Sequence, residues 1–465
     1  MRNAWASNRR ALAASAMMLL AAAACGETTS IGALADGQGS DGVGSDVAGD
    51  VGSDVAGDVV VSTDAGADAA GTDAAGTDAG STCPAATGER PQRRSEHAGA
   101  WDPVRKRLVI FGGSFALPQN CSFPIPTSEA ETWIYDPKCD AWTQSKSKAP
   151  PSRGRHGMVY IPTLGKIVVM GGRRRDGSSG PYTLLSDMWA YDVAADSWEE
   201  LSKGVGLPGR YNHAMVWAES IGKLVIIAGN LSSSGATYTA TNDVYTYAFA
   251  DGAWVKQSPT GTPPKKRFFA ASLWDDKRKQ AVIFGGADES LFQQTAKFMG
   301  DLWALDFSSD QPAWKLLDAG GNAGPDRRYW GAMTFDAGHD RYMLFGGHDD
   351  GNLGNRNDLW GYDATGGGWG TMIYGDVYNK PPKAACNFPP DFTTMTDGTP
   401  ERRNGGAVTG SADGMWVHGG KTDCGVIDDL FFFDYASGEW QQRTSATVGE
   451  ACVRKGGLSC NDYCF

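Results

Sequence analysis

One pattern recurs six times and constrains the rest of the chain. Short apolar runs stop at paired small residues: LVIFGG (108–113), IVVMGG (167–172), LVIIAGN (224–230), AVIFGG (281–286), MLFGG (343–347) and WVHGG (416–420). Counted on the last residue of each pair, the spacings are 59, 58, 56, 61 and 73 residues. A variable loop follows each pair, then ETWIYD (131–136), DMWAYD (187–192), DVYTYA (243–248), DLWALD (301–306), DLWGYD (358–363) or DLFFFD (429–434). A short turn then leads to Trp142, Trp198, Trp254, Trp314, Trp369 or Trp440. Before each pair stands an arginine: Arg94, Arg153, Arg210, Arg267, Arg328 and Arg403.

The runs between Gly-rich turns alternate with the period of two that a strand requires, as in Asp358–Asp363. A lone four-stranded sheet cannot bury both its faces. Six sheets stacked radially can, and they leave only short protected edges. In that arrangement the pairs Gly112-Gly113, Gly171-Gly172, Gly285-Gly286, Gly346-Gly347 and Gly419-Gly420 let the backbone turn or approach where a β-carbon would clash. In the third copy the alignment sets Asn230 at the second place of the pair, and Asn tolerates left-handed backbone best after Gly. Each Trp is expected to plug the space between blades, and the Asp closing most third strands to accept hydrogen bonds from the next turn.

Arg, paired glycine, aromatic-Tyr-Asp and Trp in six copies resemble the kelch repeat, over about 94–442. The resemblance implies an all-β fold, a six-bladed kelch β-propeller over 83–444, preceded by a disordered tether.

Residues 1–25 resemble a bacterial lipoprotein signal. Arg2, Arg9 and Arg10 open it, an apolar run follows, and AAAC places Cys25 as the lipidated first mature residue, although Ala22 stands where Leu is usual. Gly26 in place of Asp implies sorting to the outer membrane, on the periplasmic or the external side. Residues 26–82 hold eleven acidic residues, no Lys or Arg and no aromatic, so they cannot bury a core. They read as a tether spanning on the order of 40 Å. The tether supplies −11 and the signal +3 of the net charge of −12, leaving −4 for 83–465. A body this close to neutral points away from nucleic acid as a partner.

Of nine cysteines, eight remain beyond Cys25: Cys83, Cys121, Cys139, Cys386, Cys424, Cys452, Cys460 and Cys464. An even number on an exported chain reads as disulfides, and no spacing suits zinc. Six complete repeats leave no spare strand to lock the ring, so the Cys-rich tail 445–465 is expected to be stapled to the body, with Cys83 a candidate partner.

Function must come from what the repeats do not share. The recurring arginines are expected to be structural, satisfying loop carbonyls. His97, His156 and His213 share one repeat position, where packing is expected and a metal is not. Aromatic and charged residues of the variable loops and of the segments entering the first strands are the binding candidates. They are Arg173, Arg174, Tyr182, Tyr211, Tyr238, Phe268, Trp330, His348 and Asp349, with Arg175, Phe269, Phe292, Phe298 and Tyr329 nearby. The insertion 370–400 could form a lid or a pinned bulge. Kelch propellers include galactose oxidase and sialic acid epimerases, but no cysteine matches the Tyr–Cys motif, no epimerase set maps here, and GxSxG, HExxH and phosphate loops are absent. No catalytic residue and no cofactor is therefore assigned. The expectation is a monomeric, lipid-anchored binding or scaffold module for a protein or glycan, with a sugar-processing enzyme or a purely structural envelope component as alternatives.

Overall fold

A computed structural model of the protein describes Cys83 and residues 88–115, 128–176, 180–234, 237–291, 298–321, 323–349, 354–379, 393–394, 398–423 and 425–447. The signal, Cys25, the tether, the tail beyond 447, Phe292 and most of the 380–397 insertion lie outside the described residues.

The six apolar runs become the second strands of six four-stranded antiparallel sheets, each with its strands side by side in chain order. Blade one comprises Ala98–Asp102, Arg107–Phe111, Thr132–Asp136 and Ala141–Gln144. Blade two comprises Gly157–Ile161, Lys166–Met170, Met188–Asp192 and Ser197–Ser202. Blade three comprises Ala214–Ala218, Lys223–Asn230, Ala240–Ala248 and Ala253–Lys256. Blade four comprises Ala271–Asp275, Gln280–Gly286, Met299–Asp306 and Ala313–Asp318. Blade five comprises Ala332–Asp336, Arg341–Phe345, Leu359–Asp363 and Trp369–Ile373, and blade six Ala407–Gly410, Gly414–Lys421, Val426–Asp434 and Glu439–Thr444. Among the described residues the only helical piece is a single turn, Glu219–Ile221.

Second strands are apolar on both sides because both sides are covered. Leu108, Val109, Ile110 and Phe111 are all buried, and so are Tyr342, Met343, Leu344 and Phe345. Odd and even positions feed two different cores. Val168 and Met170 pack with blade three, whereas Ile167 and Val169 pack with blade one. Six such cores lie between successive blades, and the one between blades six and one closes the circle with Trp416 and Leu430 against Leu108, Ile110 and Trp142. First strands pack against first strands around the axis, the last against the first.

The tryptophans lie where the repeat logic puts them. Tyr135 pairs with Trp142 across the strands of blade one, Tyr191 with Trp198, Tyr247 with Trp254 and Tyr362 with Trp369. Each tryptophan also reaches the preceding blade: Trp198 lies 5.0 Å from Phe111, Trp369 5.4 Å from Phe284 and Trp440 5.1 Å from Phe345. The closing aspartates of the third strands cap the turns, Asp192 accepting from the N–H groups of Ala194 and Ala195 and Asp434 from those of Ala436 and Ser437.

The six arginines are among the largest fully or nearly fully buried polar side chains, and each is held by hydrogen bonds within its blade. Arg267 shows the pattern. Its Nε donates to the Lys265 carbonyl at 3.0 Å, Nη1 to the Gly285 carbonyl at 2.9 Å, and Nη1 and Nη2 grip the Asp301 carboxylate at 2.8 Å each. Asp187, Asp243, Asp358, Asp429 and, in blade one, Glu131 hold the other five. The same acid takes the indole N–H of Trp133, Trp189, Trp303 or Trp360 two residues on. The arginine carbonyl works in the other direction, toward the neighbouring blade. It accepts from the second residue of the preceding glycine pair: Gly113 to Arg153, Gly172 to Arg210, Gly229 to Arg267, Gly347 to Arg403, and, closing the ring, Gly420 to Arg94.

That ladder corrects the alignment of the third copy. The left-handed pair there is Ala228 (φ 62°) and Gly229 (φ 111°), matching Gly112 (φ 71°) and Gly113 (φ 94°). Asn230 is therefore not the second member. Alanine has replaced the first glycine, and Arg210 donates to the Ala228 carbonyl at 3.0 Å as Arg267 does to Gly285.

Among the described residues no strand is exchanged between the ends of the propeller, yet both ends are held. Arg90 forms an ion pair with Asp428 of blade six at 3.4 Å and donates to the Ser445 carbonyl at 2.6 Å. Arg443 of blade six donates to the Pro137 carbonyl of blade one at 3.1 Å. Cys83 and Cys139 are both disulfide-bonded. Cys121, Cys386, Cys424, Cys452, Cys460 and Cys464 lie outside the described residues.

Two substitutions test this framework. Arg328→Ala leaves the Asp358 carboxylate buried without its cation, and denaturant unfolding is expected to show a loss of about 3–5 kcal/mol. Ala228→Gly removes a left-handed alanine and is expected to raise stability by about 1 kcal/mol; a loss would show that the alanine methyl packs better than it strains.

Candidate functional site

The residue two places after each repeated arginine lies at one mouth of the propeller axis. In the six blades it is Glu96, Arg155, Asn212, Phe269, Trp330 and Gly405. All six have positive φ, between 54° and 64°. Their backbones form a chain around the axis. The N–H of Arg155 donates to the Glu96 carbonyl, Asn212 to Arg155, Phe269 to Asn212, Trp330 to Phe269 and Glu96 to Gly405, at 2.7–3.0 Å. Left-handed backbone normally favours Gly or Asn. Here glutamate, arginine, phenylalanine and tryptophan adopt it, and the neighbours on both sides impose it.

The side chains on this ring are all different. Arg155 donates to the Glu96 carboxylate at 2.5 Å and lies 5.3 Å from the ring of Phe269 and 4.9 Å from that of Trp330. Blades two and five are opposite one another, so the Arg155–Trp330 contact crosses the axis and closes this end. Trp330 also stacks 4.2 Å from Phe269 and rests against Gly405, where a β-carbon would lie 3.1 Å from the indole. Burial by itself would raise the Glu96 pKa, but the guanidinium groups of Arg155 and Arg173, with Lys421 behind them, hold it down at about 2. Glu96 therefore stays ionised and fixes Arg155, whose own pKa is pushed up by the same carboxylate against the effect of burial.

The loop candidates converge on this mouth to different depths. Arg173 is buried, with its guanidinium 3.9 Å from the Tyr182 ring, 4.7 Å from the Tyr211 ring and 3.9 Å from the Glu96 carboxylate. Arg174 turns outward to Asp176 at 2.6 Å, and Arg175 donates to the Tyr182 hydroxyl at 2.8 Å. Tyr238 stacks on Phe268 at 5.1 Å, Phe298 meets Tyr329 at 4.8 Å, and His348 meets Tyr329 at 5.3 Å. Tyr211, Phe268 and Asp349 are buried: Tyr211 takes the Asn230 amide, Phe268 sits in the aromatic cluster of blades three to five, and Asp349 holds Arg356. Those three are scaffold beneath the mouth rather than part of its surface. Tyr182, Tyr238, Phe298, Tyr329, Trp330 and His348 are the partly exposed members.

Glu96 and Arg155 are absent from the sequence-derived candidates. Their signal was positional: they hold a fixed place in a repeat whose other places are uniform. Arg402 was missed too. It is fully buried, donates to Asp376 at 3.1 Å and also contacts Asp423, joining the segments on either side of the insertion to the loop after Lys421.

His97, His156 and His213 pack against the first glycine of the preceding blade, each with its Cε1 3.0 Å from where a β-carbon of Gly419, Gly112 or Gly171 would lie. His97 also contacts His418, Nε2 to Nδ1 at 2.9 Å, across the seam between blades one and six. Burial lowers the pKa of all four, helped by nearby positive charge: Arg94 beside His97, Arg153 beside His156, Arg210 beside His213, and Arg94 and Arg403 beside His418. His213 falls to about 3.

A family model, the KLHDC2/KLHL20/DRC7 Kelch-repeats domain, matches residues 77–231 and 212–388. The chain is 26% identical over 275 residues to adagio-like protein 2 of Oryza sativa subsp. japonica, covering 55% of this chain and 39% of that one. It is 24% identical over 249 residues to a kelch repeat-containing protein of Arthroderma benhamiae, covering 43% and 36%. It is 30% identical over 139 residues to dynein regulatory complex subunit 7 of Chlamydomonas reinhardtii, covering 30% and 11%. The chain thus spans well under half the length of these relatives.

The histidines set a pH dependence. Their folded pKa values lie below the unfolded value of about 6.5, so the unfolded state binds more protons in acid and stability is lost as pH falls through about 6.5. The denaturant midpoint is expected to drop between pH 7 and pH 5, above the range where Glu96 titrates, and to drop less steeply in His213→Gln.

Proposed function

The chain belongs to the kelch-repeat family, and on that premise we propose that it is a binding or scaffold module, tethered at the bacterial envelope through Cys25, that docks a protein partner on the Arg155–Trp330 mouth. One observation carries this reading. The propeller is close to sixfold equivalent in its arginines, glycine pairs and tryptophans, and the mouth is where that equivalence ends. A surface built by six copies of one rule and then diversified at a single position is suited to recognising something asymmetric.

The chemistry of the mouth supports a protein segment. Partly exposed aromatic rings from blades two to five stand beside a fixed guanidinium, the combination enriched at the centres of protein interfaces. Arg155 and Arg173 both face the Glu96 carboxylate, so the mouth offers fixed charge beside its aromatic rings. A low-complexity tether of this composition suits a module that must reach a partner.

A photo-crosslinking residue placed at Tyr182 in the full-length exported protein is expected to capture a partner that the same residue at Trp274, at the opposite mouth, does not. Equal capture at both positions would remove the docking assignment. Separately, Cys25→Ala is expected to abolish fatty-acid labelling and release the protein from the membrane fraction; unchanged labelling would remove the anchor.

A further inference from the structure

The axis holds an open cavity of about 500 Å³, within the range of small-molecule sites. Arg155 and Trp330 close one end of it. The other end is lined by a set of aromatics that the repeat produces at the fourth residue of the first strands: Tyr160, Trp217, Trp274 and Phe335 from blades two to five. All four are partly exposed. Trp101 holds the same place in blade one but stacks on Trp416 at 5.7 Å, and blade six has Gly410, so the collar is open on that side.

The imidazoles of His97, His156 and His213 line the wall, and both ring nitrogens of His156 and His213 are buried without a hydrogen-bond partner. Ser272 and Thr409 bring hydroxyls to the wall, whereas Thr334 is held by Tyr435 at 2.7 Å and Ser411 by Gly414 at 3.0 Å. Deeper in, Asn212 is 8% exposed and lines the cavity, yet neither its Nδ2 nor its Oδ1 has a hydrogen-bond partner. A buried amide left unsatisfied at both atoms costs free energy, and such a group calls for a partner that both donates and accepts. Apart from the Arg155–Glu96 pair, which is mutually neutralised at the closed end, the wall carries no charged side chain.

We infer that the axial cavity is a second binding site, entered through the aromatic collar, for a neutral mono- or disaccharide. The flat rings of Trp217 and Trp274 suit the C–H face of a pyranose. The hydroxyls of Ser272 and Thr409 suit its edge, and vicinal hydroxyls both donate to and accept from the Asn212 amide. An anion would meet no free cation along the wall, and a purely apolar ligand would leave Asn212 unsatisfied. This site does not depend on docking at the mouth.

The test is isothermal titration of the full-length protein with glucose, galactose, N-acetylglucosamine and cellobiose, alongside thermal unfolding of each variant. At least one sugar is expected to bind. Asn212→Gly, which keeps the positive φ, and Thr409→Val, which keeps the shape, are each expected to weaken it at least tenfold without lowering the unfolding midpoint in the absence of sugar. Tyr238→Ala, at the other mouth, is expected to leave it within twofold. No heat with any of the four sugars at 10 mM would overturn the inference. So would binding that survives both cavity variants, and so would binding that is lost in Tyr238→Ala, which would place the sugar at the mouth.

Discussion

The buried arginine that opens each repeat is the interaction on which the propeller depends. A guanidinium out of water is costly unless each of its donors is used and its charge is matched. Here the donors go to three places in the same blade: a carbonyl two residues back, the carbonyl of the first glycine-pair residue, and the acid that begins the third strand. One side chain therefore fixes the approach to the first strand, the end of the second and the start of the third. Its carbonyl then accepts from the preceding blade, so the same residue that organises a blade joins it to its neighbour.

Among the described residues ring closure follows from this without a shared strand. Every blade is complete in itself, and blade six meets blade one by the rules that join any other pair: Gly420 to the Arg94 carbonyl, Glu96 to the Gly405 carbonyl, and Trp142 against His418. What distinguishes the seam is the added ion pair of Arg90 with Asp428 and the histidine contact. The cost of closing the circle is thus spread over hydrogen bonds and apolar packing of ordinary kinds.

The uniformity of the frame frees one position. Once the neighbours impose the backbone of the residue two places after the arginine, its side chain is free of the hydrogen-bond rule that the repeat imposes elsewhere, and six different residues stand there. The mouth and the axial cavity lie on either side of that ring, and Asn212 and Trp330 belong to both. Charged and aromatic side chains stand on left-handed backbone here because the frame supplies the constraint that a left-handed tryptophan or arginine needs.

The repeat, its six copies, the strand runs and the structural character of the arginines and histidines were legible in the sequence, because each depends on local pattern or on equivalence between copies. Asn230 was set at the second place of the third pair, where Gly229 stands, because a one-residue shift in alignment looks equally plausible until the φ angles and the Arg210 contact fix the register. Tyr211 and Phe268 read as binding residues because an aromatic in a loop segment looks the same whether it faces solvent or a neighbouring blade. Only the tertiary structure decided which. It also brought Arg155 of one blade over Trp330 of the blade across the axis, and aligned four first-strand aromatics around one opening. Those relations join residues more than fifty positions apart, and no local pattern encodes the distance between them.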